Sequence, residues 1–190
     1  MSSRSNQVRI IAGQWRGRTL SFPDVPGLRP TSDRTRETLF NWLQPVLPGA
    51  RCLDLFAGSG VLGFEAASRG AAEVVLVDNA YPVVRVLREN ANLLSASSVQ
   101  ICQQDVENYL AAASGLFDVV FLDPPFGSPE LLMFSINGLS APGFLAEGAR
   151  VYIETPSTAC EPVVPENWVL EKQKEAGQVA YRLYRYTVAV

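Results

Sequence analysis

Asp123-Pro124-Pro125-Phe126 is the stretch of this 190-residue chain richest in chemistry. An apolar run, Phe117–Leu122, leads into it and reads as a buried strand. Two consecutive prolines remove two backbone donors and fix φ twice, so the chain leaves the strand as a stiff, extended turn. The turn gathers a carboxylate, a carbonyl and an aromatic face. That set suits one chemical problem, making a planar, non-basic amine attack an electrophile. An exocyclic base amine shares its lone pair with the ring. Two acceptors, the Asp123 carboxylate and the Pro124 carbonyl, can hold its N–H groups as nitrogen turns pyramidal, and Phe126 can stack on the base. Taken alone, the same residues also suit a strand-end turn with an aspartate cap and a core phenylalanine. What lies upstream moves the balance toward chemistry.

From Arg51 onward, strand-like and helix-like segments alternate. Cys52–Phe56 reads as a strand, and Ala57-Gly58-Ser59-Gly60 turns into a helix over Val61–Ser68. Val74–Val77 is a second strand ending at Asp78, followed by a helix over Val83–Leu94 opened by Pro82. Val99–Cys102 is a third strand with Asp105 just beyond it, and Val106–Ala113 a helix. After the Asp-Pro-Pro-Phe turn come a helix over Pro129–Leu139 and a strand over Arg150–Glu154. Trp168–Lys174 and Val179–Tyr186 finish the sheet as an antiparallel pair. This alternation predicts an α/β fold, a doubly wound, Rossmann-like, seven-stranded and mostly parallel sheet. Ligands of such sheets bind beyond the carboxyl ends of the strands. Asp54, Gly58, Asp78, Asp105 and Asp123 all fall at or near such ends, a convergence that capping alone explains poorly.

Gly58-Ser59-Gly60-Val61-Leu62-Gly63 matches the dinucleotide pattern G-x-G-x-x-G, and Asp78 stands 20 residues after Gly58, where a ribose contact is expected. Asp54 argues against a dinucleotide. It stands four residues before the first glycine and would repel a pyrophosphate. The same carboxylate favours a cationic ligand such as the ammonium and sulfonium of S-adenosylmethionine. Asp54 and the glycine loop are therefore assigned to the methionine end, Asp78 to the ribose and Asp105 to the adenine amine. Asp105 also suits a helix N-cap.

The chain has 47% hydrophobic residues and fits one globular domain with a small appendage. It has no apolar run long enough for a membrane span and no secretory signal, so it reads as cytoplasmic. Histidine is absent, which removes His bases and His-ligated metals, and Cys52, Cys102 and Cys160 lack metal-site spacing. No metal is expected. Net charge is −3, yet residues 1–40 carry seven arginines against three acids and the rest of the chain is acidic. A basic arm on an acidic body is the asymmetry of a nucleic-acid contact. Within the arm, Val8–Leu20 reads as a strand, a turn and a second strand, with Arg9, Trp15, Arg16 and Arg18 interleaved. It suits a hairpin that grips RNA and stacks bases, or an ordinary hairpin with Trp15 packed inward. Phe22–Pro30, with Arg29, is a loop. Thr31-Ser32-Asp33 offers caps for a helix over Arg34–Leu47, whose first turn holds Arg34 and Arg36. Cations are disfavoured there and hint at an external anion or ligand.

With Asp54-Leu55-Phe56-Ala57-Gly58-Ser59-Gly60, the Asp123-Pro124-Pro125-Phe126 turn resembles class I methyltransferases acting on base amines. The flanks resemble one family more narrowly. They are Arg9–Arg18, Gly27-Leu28-Arg29-Pro30-Thr31, Asp33-Arg34, Arg36–Leu43 and Gly177–Tyr184, and the resemblance, from Val8 to Tyr186, is to the RsmD family. It implies methylation of guanine N2 in 16S ribosomal RNA, within assembling small subunits, by a monomer. It implies a catalytic set of Asp123, Pro124, Pro125 and Phe126. The cofactor set is Asp54, Phe56, Ala57, Gly58, Ser59, Gly60, Asp78, Asn79, Asp105 and Val106, with Thr31 and Arg36. The RNA set is Arg9, Trp15, Arg16, Arg18, Arg29 and Arg34. It divides the chain into an RNA-binding hairpin arm, residues 1–30, and a methyltransferase domain, residues 31–190. The family often has a second acid two residues after the first at strand two. Ala80 stands there in this chain, which bears on cofactor affinity. The rivals are methylation of adenine N6 or cytosine N4 in RNA or DNA, a dinucleotide-dependent oxidoreductase, and a non-catalytic RNA-binding protein.

Overall fold

The computed structural model describes residues 6–26, 28, 30–113, 115–125 and 127–188. Phe126 and Arg29 lie outside them. An antiparallel hairpin comes first, β1 (Asn6–Arg9) and β2 (Thr19–Phe22), then helix α1 (Asp33–Leu43). Strands β3 (Arg51–Asp54), β4 (Glu73–Asp78), β5 (Val99–Gln103), β6 (Phe117–Leu122) and β7 (Leu145–Pro156) then alternate with helices. The helices are α2 (Val61–Ser68), α3 (Tyr81–Leu94), α4 (Val106–Ala112) and α5 (Pro129–Leu139). Strands β8 (Trp168–Ala176) and β9 (Val179–Tyr186) close the chain.

The sheet runs β5-β4-β3-β6-β7-β9-β8. Its first five strands are parallel, and β9 enters antiparallel between β7 and β8. The expected doubly wound sheet and its terminal antiparallel pair are both present. Strand order reverses between β3 and β6, which opens the ligand crevice of this architecture over their carboxyl ends. Strand β7 begins five residues before the sequence suggests. Gly148, at φ +76°, breaks the apolar alternation there, and the β6–β7 register shifts between Phe117 and Val119.

Alternation along each strand sorts the core into two layers. Cys52, Val74, Leu76, Val119, Phe121, Tyr152, Tyr181 and Leu183 face α1, α2, α3 and the hairpin. Leu53, Val75, Val77, Val120, Leu122, Val151 and Ile153 face α4 and α5. Helix α1 is started by Ser32, whose Oγ accepts from the Thr35 amide at 3.2 Å, and Pro82 and Pro129 open α3 and α5.

The hairpin is docked firmly. Val8, Ile10, Trp15, Leu20 and Phe22 share the core of the α1–α3 layer. Between β1 and β2 the amides of Ile11 and Ala12 donate to the two oxygens of Glu65 on α2, at 2.9 and 3.0 Å. The Gln14 amide donates to the Ser68 carbonyl at 2.8 Å and the Trp15 amide to Ser68 Oγ at 3.0 Å. Gly13, at φ +84°, is required here, because a Cβ would lie 1.8 Å from the Ser68 carbonyl oxygen.

Candidate active site at the carboxyl edge of the sheet

Each strand end next to the reversal of strand order delivers one acid. Asp54 is the last residue of β3 and Asp78 of β4, and Asp123 follows β6. By alternation all three lie on the face of Cys52, Leu76 and Phe121, toward α1 and α2. Asp54 is 1% exposed; its Oδ1 accepts a long bond, 3.3 Å, from the Phe56 amide, and the Gly63 amide also favours its charged form. Burial, with the charge of Asp78 adding to it, pushes its carboxyl up to about 7. Asp78 Oδ2 accepts from the Gly58 amide at 3.0 Å and Oδ1 from the Ala80 amide at 2.9 Å. Those bonds oppose the upward push of burial without cancelling it. They also tie the end of β4 to the glycine loop. Burial holds Asp123 well above the usual carboxylate range, and the charges of Glu154 and Asp54 add to this.

The loop between β3 and α2 is shaped for close approach. Gly58 and Gly60 have φ of +49° and +74°, and a Cβ on Gly60 would sit 2.4 Å from Leu87. The Gly60 amide donates to the Ala57 carbonyl at 2.7 Å, and Ser59 Oγ accepts from the Val61 amide at 3.4 Å. Leu28 lies over Gly58, so the segment before α1 folds across the loop and brings Thr31, buried at the foot of α1, to the same side. Phe56 and Asn79 flank the strand ends, half-buried and exposed. Asp105 caps α4, with Oδ1 accepting from the Asn108 amide and Oδ2 from the Asn108 side chain, both at 2.8 Å, and Val106 is buried beside it. Pro124 is buried and Pro125 exposed, its carbonyl accepting from the Ser128 amide at 3.2 Å.

Two of the expected assignments are corrected. Arg36, expected beside the cofactor, is fully buried and engaged within the protein. Its guanidinium donates twice to the Arg9 carbonyl at 2.9 Å and pairs with Glu65 at 3.4 Å and with Asp33, so it fastens the hairpin. A cation in the first helical turn has a buried internal partner instead of an external anion. Trp15 is 9% exposed and packed in the core, so it offers no stacking face to a base. Arg9, Arg16, Arg18 and Arg34 are exposed, as a polyanion contact requires.

One acid escaped the sequence reading. Glu154, on β7, is 6% exposed and takes a 2.7 Å bond from the buried Tyr152 hydroxyl at Oε2. The available signal was an acid ending an apolar strand, the same signal that marked Asp54, Asp78 and Asp123. Among the described residues no arginine or lysine pairs with any of these four carboxylates. A cleft of about 460 Å³ lies nearby, between the start of α1 and the β8–β9 turn, lined by Ser32, Arg34, Lys174, Gly177 and Tyr181 among others.

The family model described as Conserved hypothetical protein 95 matches residues 8–185. The chain is 50% identical over 183 residues to Ribosomal RNA small subunit methyltransferase D of Escherichia coli strain K12, covering 96% of this chain and 92% of that protein. The Haemophilus influenzae protein of the same name is 46% identical over 184 residues, covering 94% of each. Among solved structures, yhhF of Escherichia coli superposes with a TM-score of 0.90 at 46% identity, covering 97% of this chain and 100% of that one. HI0767 of Haemophilus influenzae gives 0.81 at 41% identity, covering 96% and 99%. On these matches the chain belongs to the Conserved hypothetical protein 95 family, the RsmD family to which its motifs point.

Proposed function

We propose that this protein transfers a methyl group from S-adenosylmethionine to the exocyclic N2 amine of a guanine in small-subunit (16S) ribosomal RNA. One observation carries the reading. Four strand-end carboxylates crowd one face of the sheet beside a glycine loop, with no cation among the described residues to pair them. Carboxylates gathered in and near the core without a counter-charge are costly to ionise, and a cationic ligand reduces that cost. S-adenosylmethionine fits the donor set, since its ammonium and sulfonium suit Asp54 and the loop of Phe56, Ala57, Gly58, Ser59 and Gly60. Its ribose hydroxyls suit Asp78 and Asn79, and its adenine amine suits the remaining lone pairs of Asp105 beside Val106. Thr31, buried just ahead of α1, is assigned to the same set.

Bound there, S-adenosylmethionine supplies an electrophilic methyl group. The rest falls to the chain. The target guanine leaves its stack, Asp123 and the Pro124 carbonyl accept hydrogen bonds from its amine, and once N2 carries the methyl group its surplus proton leaves to Asp123 or to water. Pro125 stiffens the turn that aims them, and Phe126 is assigned the base face. Arg9, Arg16, Arg18, Arg29 and Arg34 hold phosphates, residues 1–30 acting as the RNA arm and residues 31–190 as the catalytic domain. The RNA is met inside assembling small subunits in the cytoplasm, by a monomer. The test is radiolabelled methyl transfer to small subunits from cells lacking the protein, with the modified nucleoside identified. The expected product is N2-methylguanosine. N6-methyladenosine, N4-methylcytidine or no label overturns the reading, as does tight NAD binding without binding of S-adenosylmethionine.

A further inference from the structure

Glu154 has no part in the cofactor set. It is nine-tenths buried, and Tyr152 donates to only one of its oxygens. No described residue donates to the other. With its Oε2 bonded to Tyr152, Glu154 keeps a second oxygen that no described residue holds and that a ligand can use. Its position is specific. Leu122 pairs with Ile153 in the parallel β6–β7 ladder, so Asp123 and Glu154 come next, side by side, on strands about 4.8 Å apart. On the other side Glu154 is opposed by Tyr181 of β9, which lines the cleft carrying Arg34 and Lys174. Glu154 therefore stands between that cleft and Asp123.

We propose that Glu154 reads the ring edge of the target base, its free oxygen accepting the N1–H of a guanine whose amine is held at Asp123. The inference rests on the function proposed above and adds the residue that selects the base. Guanine presents its ring N1–H and its N2 amine hydrogens next to one another, two donors in a row on the part of the edge that the two acids would meet. Adenine and cytosine place an unprotonated ring nitrogen beside their amine. Two neighbouring carboxylates accept from the first kind of edge and repel the second, so the pair both selects guanine and rejects the other amines. The Tyr152 hydroxyl holds Glu154 in place, and its bond opposes, without cancelling, the upward push of burial on the carboxyl.

The test uses small subunits reconstituted with RNA in which the guanine that wild type modifies is replaced by 2-aminopurine. This base keeps the N2 amine and has an acceptor at N1 in place of the N–H. Wild type should prefer guanine by at least ~10²-fold in kcat/KM, as expected where a site hydrogen-bonds a substrate group. Glu154→Gln presents an amide N–H to that acceptor and should lose at least ~10-fold of the preference. Calorimetry with S-adenosylhomocysteine should show unchanged cofactor binding, separating base reading from a collapsed site. Tyr152→Phe, which keeps the carboxylate, should lower the preference in the same direction by less, and it serves where the first variant fails to fold. An unchanged preference in variants that bind S-adenosylhomocysteine overturns the role of Glu154 and leaves the proposed function standing. Failure of wild type to methylate the guanine particles overturns both.

Discussion

At the scale of the residue, surroundings divide one functional group among several uses. Asp123 lies at the turn after β6 and accepts no hydrogen bond from a described residue, whereas both oxygens of Asp78 are held by backbone amides. Asp123→Ala should therefore lower turnover by at least ~10²-fold, by analogy with loss of an oxyanion-hole group. Cofactor affinity, measured by calorimetry, should change little, and turnover near wild type would reduce Asp123 to a structural turn residue. Asp78→Ala should do the reverse. Loss of a charged acceptor costs about 1.5–3 kcal/mol of cofactor binding, while turnover recovers at saturation. An unaltered Kd would separate β4 from the ligand. The aspartates were legible because each is a charge at the end of an apolar run. Arg36 and Trp15 were not read correctly, since their roles depend on Glu65, Asp33 and a core layer far away in sequence. Glu154 carried the same signal as the aspartates but no glycine loop or proline pair beside it to draw notice.

At the scale of the element, the chain's periodicity gave away almost every helix and strand, because a two-sided sheet forces apolar runs and amphipathic helices into different rhythms. The docking of the hairpin is a property of partner elements and has no local rhythm. It rests on Glu65, fully buried on α2, which takes two amides from the hairpin and ion pairs from Arg36 and Arg69. Glu65→Ala should remove the buried carboxylate that pairs Arg36 and Arg69, leave the Ile11 and Ala12 amides without their acceptor, and cost about 3–5 kcal/mol, although Arg36 keeps Asp33. A denaturant titration measures the loss, and faster exchange of the Ile11 and Ala12 amides would locate it. Losses within ~0.5 kcal/mol, the range of an ordinary surface substitution, would mean that the hairpin is held by packing alone. The arginines tell another story. Arg36 uses the carbonyl of Arg9 and leaves its side chain exposed. Replacing Arg9, Arg16 and Arg18 together by alanine should then spare the fold. It should lower the log–log salt slope of RNA binding by about 2, since each single-strand phosphate contact releases roughly 0.7 counterions. An unchanged slope with a native melt would move the RNA grip elsewhere, Arg34 and the cleft beside it being the next place to look.

At the scale of the whole molecule, the carboxylates make stability and ligand binding respond to pH in opposite directions. Asp54 is held at about 7 in the folded protein, chiefly by burial, and Asp123, Asp78 and Glu154 are also raised. In the unfolded chain an aspartate titrates near 3.9. Between those values the folded state carries more protons than the unfolded one, so stability falls as pH rises. The cost is absent below about 4, accumulates toward 7 and is constant above it. The ligand-free protein should therefore melt at a higher temperature at pH 5.5 than at pH 7. A cationic ligand reverses the preference, because it meets carboxylates that must be ionised to bind it. Affinity for S-adenosylmethionine should rise over the same interval, by at most about tenfold per pH unit for each proton released. The interval stays below the ordinary range of an α-amino group, near 7.7, so the charge of the ligand is constant across it. Thermal melts and calorimetry at pH 5.5, 6.25 and 7 measure both trends on one preparation. Calorimetry in buffers of different ionisation enthalpy counts the protons released directly. Should affinity stay flat and no proton be released, the acids at the strand ends would already be ionised and paired before the cofactor arrives. Their lack of a counter-charge would then no longer call for a cationic ligand.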